Sequence, residues 1–143
     1  MKRKLTLLAL AGLSLFMKAH AERPNIIFFI ADDMLPNHFN CLQQGKDKYL
    51  TPNLDRLARE GTLMLQQHVV SPVCTPSRYN VLTGNFGSRA QNPYFTQNTK
   101  KNGQSIVEFN THILSTDRTL PALLKAAGYT TGMAGKDHVV EVG

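Results

Sequence analysis

The sequence has few cysteines, no large excess of either charge beyond its first residues, and no long apolar runs after them. Its 143 residues contain only Cys41 and Cys74, so at most one disulfide can form. There is no internal repeat or low-complexity segment, and beyond residue 21 no apolar run is long enough to predict a membrane span. Beyond residue 21 there are 12 basic and 10 acidic residues. With no basic face left, nucleic acid is not an expected partner.

Residues 1–21 have the pattern of a secretory signal. Lys2-Arg3-Lys4 forms a basic start, and Leu5–Met17 is an apolar run that is too short for a comfortable membrane span. Ala19-His20-Ala21 supplies small residues at the cleavage positions. The pattern predicts a signal peptide and a mature chain over 22–143 that is secreted or periplasmic, with no membrane attachment after cleavage. The alternative is an uncleaved anchor.

The mature region has the alternating pattern of an α/β domain. Asn25–Ile30 is a continuous run of mostly β-branched and aromatic residues, which predicts a buried strand of the kind found in parallel sheets. Helix start and stop signals then alternate with apolar runs. The predicted elements are strands over 25–30, 63–70 and 129–134, helices over 52–60, 76–82 and 120–127, and a polar surface loop over 85–103. This order predicts a mostly parallel sheet flanked by helices.

Polar residues follow each predicted strand. Ligands of parallel sheets bind beyond the carboxyl ends of the strands, so Asp32, Cys74 and Lys136 are expected at one edge. Asp32 and Asp33 are adjacent carboxylates, which repel each other unless a cation or hydrogen-bond donors compensate. A hard divalent ion such as Ca²⁺ or Mg²⁺ is one such cation. A helix cap or a turn is the alternative use of these two residues.

Cys74 lies in the most informative stretch, Cys74-Thr75-Pro76-Ser77-Arg78. A single cysteine on its own is more often an inert, buried thiol than a reactive one. The gap-free run from Pro72 to Gly84, however, resembles the signature of type I sulfatases. Two further segments resemble this family: Arg23–Asp33 is similar to its opening, and Gly128–His138 to its second signature. The resemblance implies an alkaline-phosphatase-like sulfatase fold and hydrolysis of sulfate monoesters.

In that family the cysteine is oxidised to formylglycine, so the resemblance implies a formylglycine-generating or sulfatase-maturing enzyme as a partner of Cys74. One hydroxyl of the hydrated aldehyde would attack sulfur, and the other, once deprotonated, would expel sulfate; this splits one difficult step into two. Thr75, Pro76 and Ser77 are expected to serve recognition by the modifying enzyme. The predicted helix after Cys74 would present unsatisfied N–H groups to an anionic substrate.

The resemblance also implies roles for other residues. Arg78, one helical turn after Cys74, would pair with metal-bound carboxylates or stabilise the nucleophile. Lys136 would bind a sulfate oxygen, and His138 would act as a general base. The implied metal ligands are Asp32, Asp33 and Cys74, with Ca²⁺ expected and Mg²⁺ as the alternative. The chain departs from the family at Asp137, where an aromatic residue is usual and where an acid could pair with Lys136.

The resemblance covers residues 23–138, and sulfatases of this type are much longer. Three protein ligands underfill a calcium site, which takes six to eight oxygens. We therefore expect the N-terminal part of a sulfatase catalytic domain that is inactive and poorly soluble when expressed alone. Sulfated carbohydrates and aryl sulfates are the expected substrates. The alternatives are a metal-dependent phosphoesterase of the same superfamily, which would typically carry Ser or Thr in place of Cys74, and a non-catalytic protein that binds sulfated glycans.

Overall fold

The computed structural model describes residues 23–140, so the predicted signal peptide over 1–21 lies outside the described residues. The chain divides into two compact units between Ala31 and Asp32. In the first unit, the described residues 23–31 form neither helix nor strand. The apolar side chains from Ile26 to Ile30 are exposed there, and Ile27 reaches 91%.

The described part of the second unit is built on four helices. They are α1 (Pro52–Glu60), α2 (Cys74–Thr83), α3 (Pro93–Asn102) and α4 (Leu120–Ala126), and three short 3₁₀ turns span Pro36–His38, Gln43–Gly45 and Gly87–Arg89. Three of the helices begin with proline within their first two residues, because proline there loses no helical hydrogen bond.

The predicted strands are not formed in residues 23–140. The segments 25–30, 63–70 and 129–134 lie outside strands, and a parallel bridge between Ile113 and Val140 is the sheet pairing seen there. A strand is completed by backbone hydrogen bonds to a neighbour, and these segments have no such ladder. The mostly parallel sheet is therefore not seen in the described residues.

Two helix predictions are close to the structure, whereas the remaining helix and the predicted loop need correction. Helix α1 begins after Thr51 and α4 after Thr119, as predicted, and the Thr119 hydroxyl accepts a hydrogen bond from the Ala122 amide at 3.3 Å. Helix α2 begins at Cys74, two residues earlier than expected. The predicted loop over 85–103 was wrong: it contains α3 and a 3₁₀ turn. The many polar residues of this segment led to its interpretation as a loop, although it carries signals for a helix start and a helix end.

A small core holds the second unit together. It consists of Tyr79, Ala90, Phe95 and Val139, and the partly buried side chains of Leu82, Val107 and Ile113 pack against it. Gly87 permits a close approach here, because a Cβ atom would lie 2.7 Å from Val107 Cγ1. Since Tyr79 lies on α2 and Val139 directly follows His138, this core fixes the two halves of the candidate site against each other.

Candidate functional site

The first half of the site is the start of helix α2. Cys74 is the first helical residue, and Val73 is the N-cap with an extended backbone. The Ser71 hydroxyl accepts a hydrogen bond from the Val73 amide at 3.1 Å, which holds the chain as it enters the helix. Gly84 ends the helix in the left-handed conformation, with φ of 71°, which favours glycine. The free N–H groups of the first turn give the Cys74 end of α2 a partial positive charge.

The second half of the site comes from the segment 136–138. His138 Nδ1 lies 3.3 Å from Cys74 Sγ and 3.3 Å from Thr75 Oγ1, so one ring nitrogen is within hydrogen-bonding distance of both side chains. Phe109 meets the His138 ring edge-on, with ring centroids 6.0 Å apart and an interplanar angle of 75°. The imidazole is therefore positioned against the candidate nucleophile by residues from two other parts of the chain.

Three charged side chains adjoin this pair. Lys136 Nζ donates a hydrogen bond to Asp32 Oδ2 at 2.8 Å, and Arg78 Nη2 lies 3.5 Å from the same oxygen. Arg78 Nη1 donates to the Lys136 carbonyl oxygen at 2.7 Å. Arg78 Nε is buried and has no hydrogen-bond partner in the described residues. The Lys136 and Arg78 cations thus share the Asp32 carboxylate, and the buried Arg78 Nε donor has no acceptor among the described residues.

The ion pair shifts both of its members. The hydrogen bond from Lys136 is the main reason that the pKa of the Asp32 carboxyl is lowered, and partial desolvation opposes it. The same hydrogen bond is the main cause of the raised pKa of Lys136. Both charged forms are therefore favoured, and the pair stays ionised at neutral pH.

The structure thus brings together five of the six residues that the sequence singled out. One contact joins Cys74 to His138, and others join Asp32, Arg78 and Lys136 to one another. The two groups meet in the segment 136–138, which carries both Lys136 and His138. Those contacts involve Asp32 and not Asp33, which is exposed and has a left-handed φ of 56°.

Sequence reasoning missed two contributors to the site. Thr75 was expected to serve only the modifying enzyme, but its hydroxyl lies against His138. Phe109 carries no motif that would have marked it. Lys136 and His138 belong to an irregular segment in which His138 has a left-handed φ of 58°.

Neither a disulfide nor a metal cluster occurs in the described part of the chain. Cys41 and Cys74 are both free. Within residues 23–140, no group of three or more His, Cys, Asp or Glu side chains is arranged to hold a metal ion. No helix among the same residues is long and apolar enough to cross a bilayer.

The geometry defines a class of site: a candidate nucleophile at a helix N-terminus, an imidazole beside it and two cations suited to an anionic group. The sulfatase family model matches residues 24–141. The chain therefore belongs to the sulfatase family, for which an alkaline-phosphatase-like fold is expected.

Three relatives illustrate the match. N-acetylgalactosamine-6-sulfatase of Mus musculus is 37% identical over 134 residues, which cover 93% of this chain and 25% of the relative. N-acetylgalactosamine-6-O-sulfatase of Bacteroides thetaiotaomicron is 34% identical over 120 residues, covering 84% and 21%. Arylsulfatase D of Homo sapiens is 33% identical over 123 residues, covering 84% and 19%.

The chain thus spans about a quarter of the length of the curated relatives it matches. No solved structure matches it.

Proposed function

We propose that the polypeptide carrying this chain hydrolyses sulfate monoesters, with residue 74 as the nucleophile. One observation carries the proposal: Cys74 Sγ lies at the start of α2, 3.3 Å from His138 Nδ1, and Lys136 and Arg78 lie in the same cluster. A nucleophile, a proton acceptor and fixed positive charge are what transfer of a sulfuryl group needs.

Formylglycine at position 74 would supply a hydrated aldehyde, with one hydroxyl to attack sulfur and a second to release sulfate. The residues of this chain then act around it. His138 Nδ1 accepts a proton from the side chain of residue 74, next to which it already lies. Lys136 and the amides at the start of α2 hold the negative charge of the sulfate group. Arg78, whose Nη2 lies 3.5 Å from the carboxylate that Lys136 binds, adds a second positive charge beside Lys136.

The proposed metal ligands are Asp32, Asp33 and residue 74, with Ca²⁺ as the favoured ion and Mg²⁺ as the alternative. The described residues alone do not fit such a site. Asp32 is engaged by Lys136 and Arg78, and a calcium ion takes six to eight oxygen ligands. Further oxygen donors are therefore required, and the roles given above to His138, Lys136 and Arg78 do not depend on the ion.

Sulfated carbohydrates are the substrate class that we propose, since two of the relatives above are named for a sulfated N-acetylgalactosamine. Arylsulfatase D suggests aryl sulfates as convenient assay substrates. We also propose that residues 1–21 are a cleaved signal peptide, that 22–143 is the N-terminal part of a secreted or periplasmic catalytic domain, and that this domain is built on a mostly parallel sheet. The apolar run at Ile26–Ile30 supports the sheet, because such runs form buried strands.

Oxidation of Cys74 is tested by peptide mass spectrometry after co-expression with a formylglycine-generating enzyme. The expected product has the CH₂SH group of Cys74 replaced by CHO, with the corresponding loss of mass. Cys41 is a matched control within the same chain, since it is also a free thiol but has no Pro and Arg at the motif spacing, and it should remain unchanged. An unmodified Cys74 would favour the phosphoesterase alternative.

Activity is tested by sulfate release from an aryl sulfate and from N-acetylgalactosamine 6-sulfate, in the polypeptide that carries these 143 residues. Cys74→Ala should lower kcat at least about a thousandfold, because a catalytic unit without its nucleophile loses most of its rate. Cys41→Ala should keep the parental rate. Salt-sensitive binding of sulfated glycan without sulfate release would instead support a binding protein.

A further inference from the structure

The turn from Asp137 to Val139 is strained at the residue that faces Cys74. His138 has a φ of 58°, in the left-handed region that residues other than glycine seldom occupy. A backbone in that region persists only where its surroundings hold it. The contacts on either side of His138 therefore decide where its imidazole lies.

Two hydrogen bonds hold this turn. The Asp137 carboxylate accepts at Oδ1 from the Val139 amide at 3.3 Å, which is the pattern by which aspartate caps the backbone two residues further on. The Val139 carbonyl in turn accepts from the Ile113 amide at 2.7 Å. Val139 itself is 0% exposed and belongs to the core. His138 thus lies between Asp137, whose side chain caps the turn, and Val139, which is buried in the core.

The partner of Lys136 leaves Asp137 available for this cap. An acid next to Lys136 was expected to compete for its ammonium group, but Lys136 Nζ binds Asp32 Oδ2 at 2.8 Å instead. The Asp137 side chain is half-buried and turned to the Val139 amide. Its charge therefore does not neutralise the cation of the site.

We propose that Asp137 is a positioning residue, whose carboxylate fixes the left-handed turn and thereby holds the His138 imidazole against Cys74 and Phe109. Its effect on catalysis rests on the proposed sulfatase function, whereas its effect on the turn does not. The role needs an acceptor atom two residues before the Val139 amide, and it does not need a negative charge.

Variants that separate the acceptor atom of Asp137 from its negative charge test this role. Asp137→Asn keeps an Oδ1 acceptor and removes the charge, while Asp137→Ala removes both. Thr119→Ala is a matched control, since Thr119 also accepts a 3.3 Å hydrogen bond from a backbone amide but does so at the start of α4. A His138→Gln variant identifies the His138 ring signals in NMR spectra of the 143-residue chain.

The readout is the nuclear Overhauser effect between the rings of His138 and Phe109, together with hydrogen exchange of the Val139 amide. In the parent, in Asp137→Asn and in Thr119→Ala the ring contact should be present. In Asp137→Ala it should be lost, and the Val139 amide should exchange at least about tenfold faster, because an opened hydrogen bond exposes the amide. An unchanged ring contact in Asp137→Ala would overturn the proposal.

Should Asp137→Ala fail to fold, Asp137→Asn still decides, since loss of the ring contact in this folded, acceptor-retaining variant would equally overturn the proposal. In the active polypeptide, Asp137→Ala should lower kcat about tenfold or more with little change in KM, and Asp137→Asn should restore it. Absence of sulfate release from the parent would refute the proposed function, while the ring contact would still report on Asp137.

Discussion

The most apolar stretch of the described chain is exposed, whereas a stretch that is mostly polar contains a fully buried asparagine. Phe29, in the run from Ile26 to Ile30, is 78% exposed. Asn92 lies in the segment that the sequence predicted to be a surface loop, and it is 0% exposed. Burial in this protein therefore follows from the partners that a side chain finds, and hydrophobicity alone does not predict it.

Asn92 is buried because both ends of its amide are satisfied. Its Nδ2 donates to the Asn110 carbonyl at 3.0 Å, and its Oδ1 accepts from the His112 amide at 3.1 Å. The segment that it binds continues to Ile113, whose amide reaches Val139 beside His138. The hydrogen bonds of Asn92 thus connect the start of α3 to the segment that contacts Val139 next to the site. In residues 25–30, by contrast, no strand is formed and the apolar side chains are exposed.

The largest expected effect compares one phenylalanine from each region. Phe95 is 3% exposed in the core, so Phe95→Ala should lower the free energy of unfolding by about 4 kcal/mol, through lost burial and the cavity that remains. Phe29→Ala, at an exposed position, should change it by less than about 0.5 kcal/mol. Urea unfolding of the 143-residue chain measures both. Equal losses would show that the apolar run is packed and would break the comparison.

A smaller effect is expected at Asn92. Asn92→Leu keeps the size of the side chain but leaves the His112 amide and the Asn110 carbonyl without this partner. We expect a loss of about 2 kcal/mol, since an unsatisfied buried polar group costs about 1–3 kcal/mol. The matched control is Asn53→Leu on the exposed face of α1, which should be nearly neutral. If Asn92→Leu proved neutral, hydrogen bonding would not explain why Asn92 is buried.

The sequence predicted the helices whose ends carry clear signals. The Thr-Pro start of α1 and the Thr119 start of α4 were identified correctly. Helix α3 was missed although Asn92-Pro93 and Gly103 are a start and a stop of the same kind. Its composition was mistaken for that of a loop, because a buried asparagine looks in sequence the same as a solvated one.

The sequence named candidate site residues, but it did not indicate their geometry. The resemblance marked Cys74, Arg78, Lys136 and His138, and the structure joins them to Asp32. The contacts of Thr75 and Phe109 with the imidazole depend on a left-handed turn at His138, which the Asp137 cap helps to hold. Such a turn depends on long-range contacts with Ile113, which local sequence patterns do not report.

A pH-dependent effect separates a buried tyrosine from an exposed one. Burial is the main reason that the pKa of Tyr79 is raised above its ordinary value of 10.0. The unfolded chain therefore releases this proton first as the pH rises. The contribution of Tyr79 to stability is complete below about pH 10 and is lost as the pH rises towards the higher pKa of the folded state.

Tyr79→Phe should accordingly flatten the fall in unfolding free energy above pH 10, by at most about 1.4 kcal/mol per pH unit. Tyr49→Phe is the control for loss of a phenol hydroxyl at a largely exposed position. Urea unfolding between pH 8 and about pH 11 gives the comparison. Curves that coincide for Tyr79→Phe and the parent would mean that Tyr79 is as solvated as Tyr49.

The smallest change in stability is expected at Ile27, the most exposed large apolar residue described. Ile27→Lys places a charge where the side chain already meets water, so the free energy of unfolding should change by less than about 0.5 kcal/mol. Its self-association should nevertheless fall, because contiguous exposed apolar surface favours association and an added charge opposes it. Sedimentation velocity over a concentration series measures this, with Lys46→Ala at an exposed polar position as the control. A variant that stays monomeric to higher concentration at unchanged stability would assign the association to the apolar run, whereas a large loss of stability would show that Ile27 is packed in the folded chain.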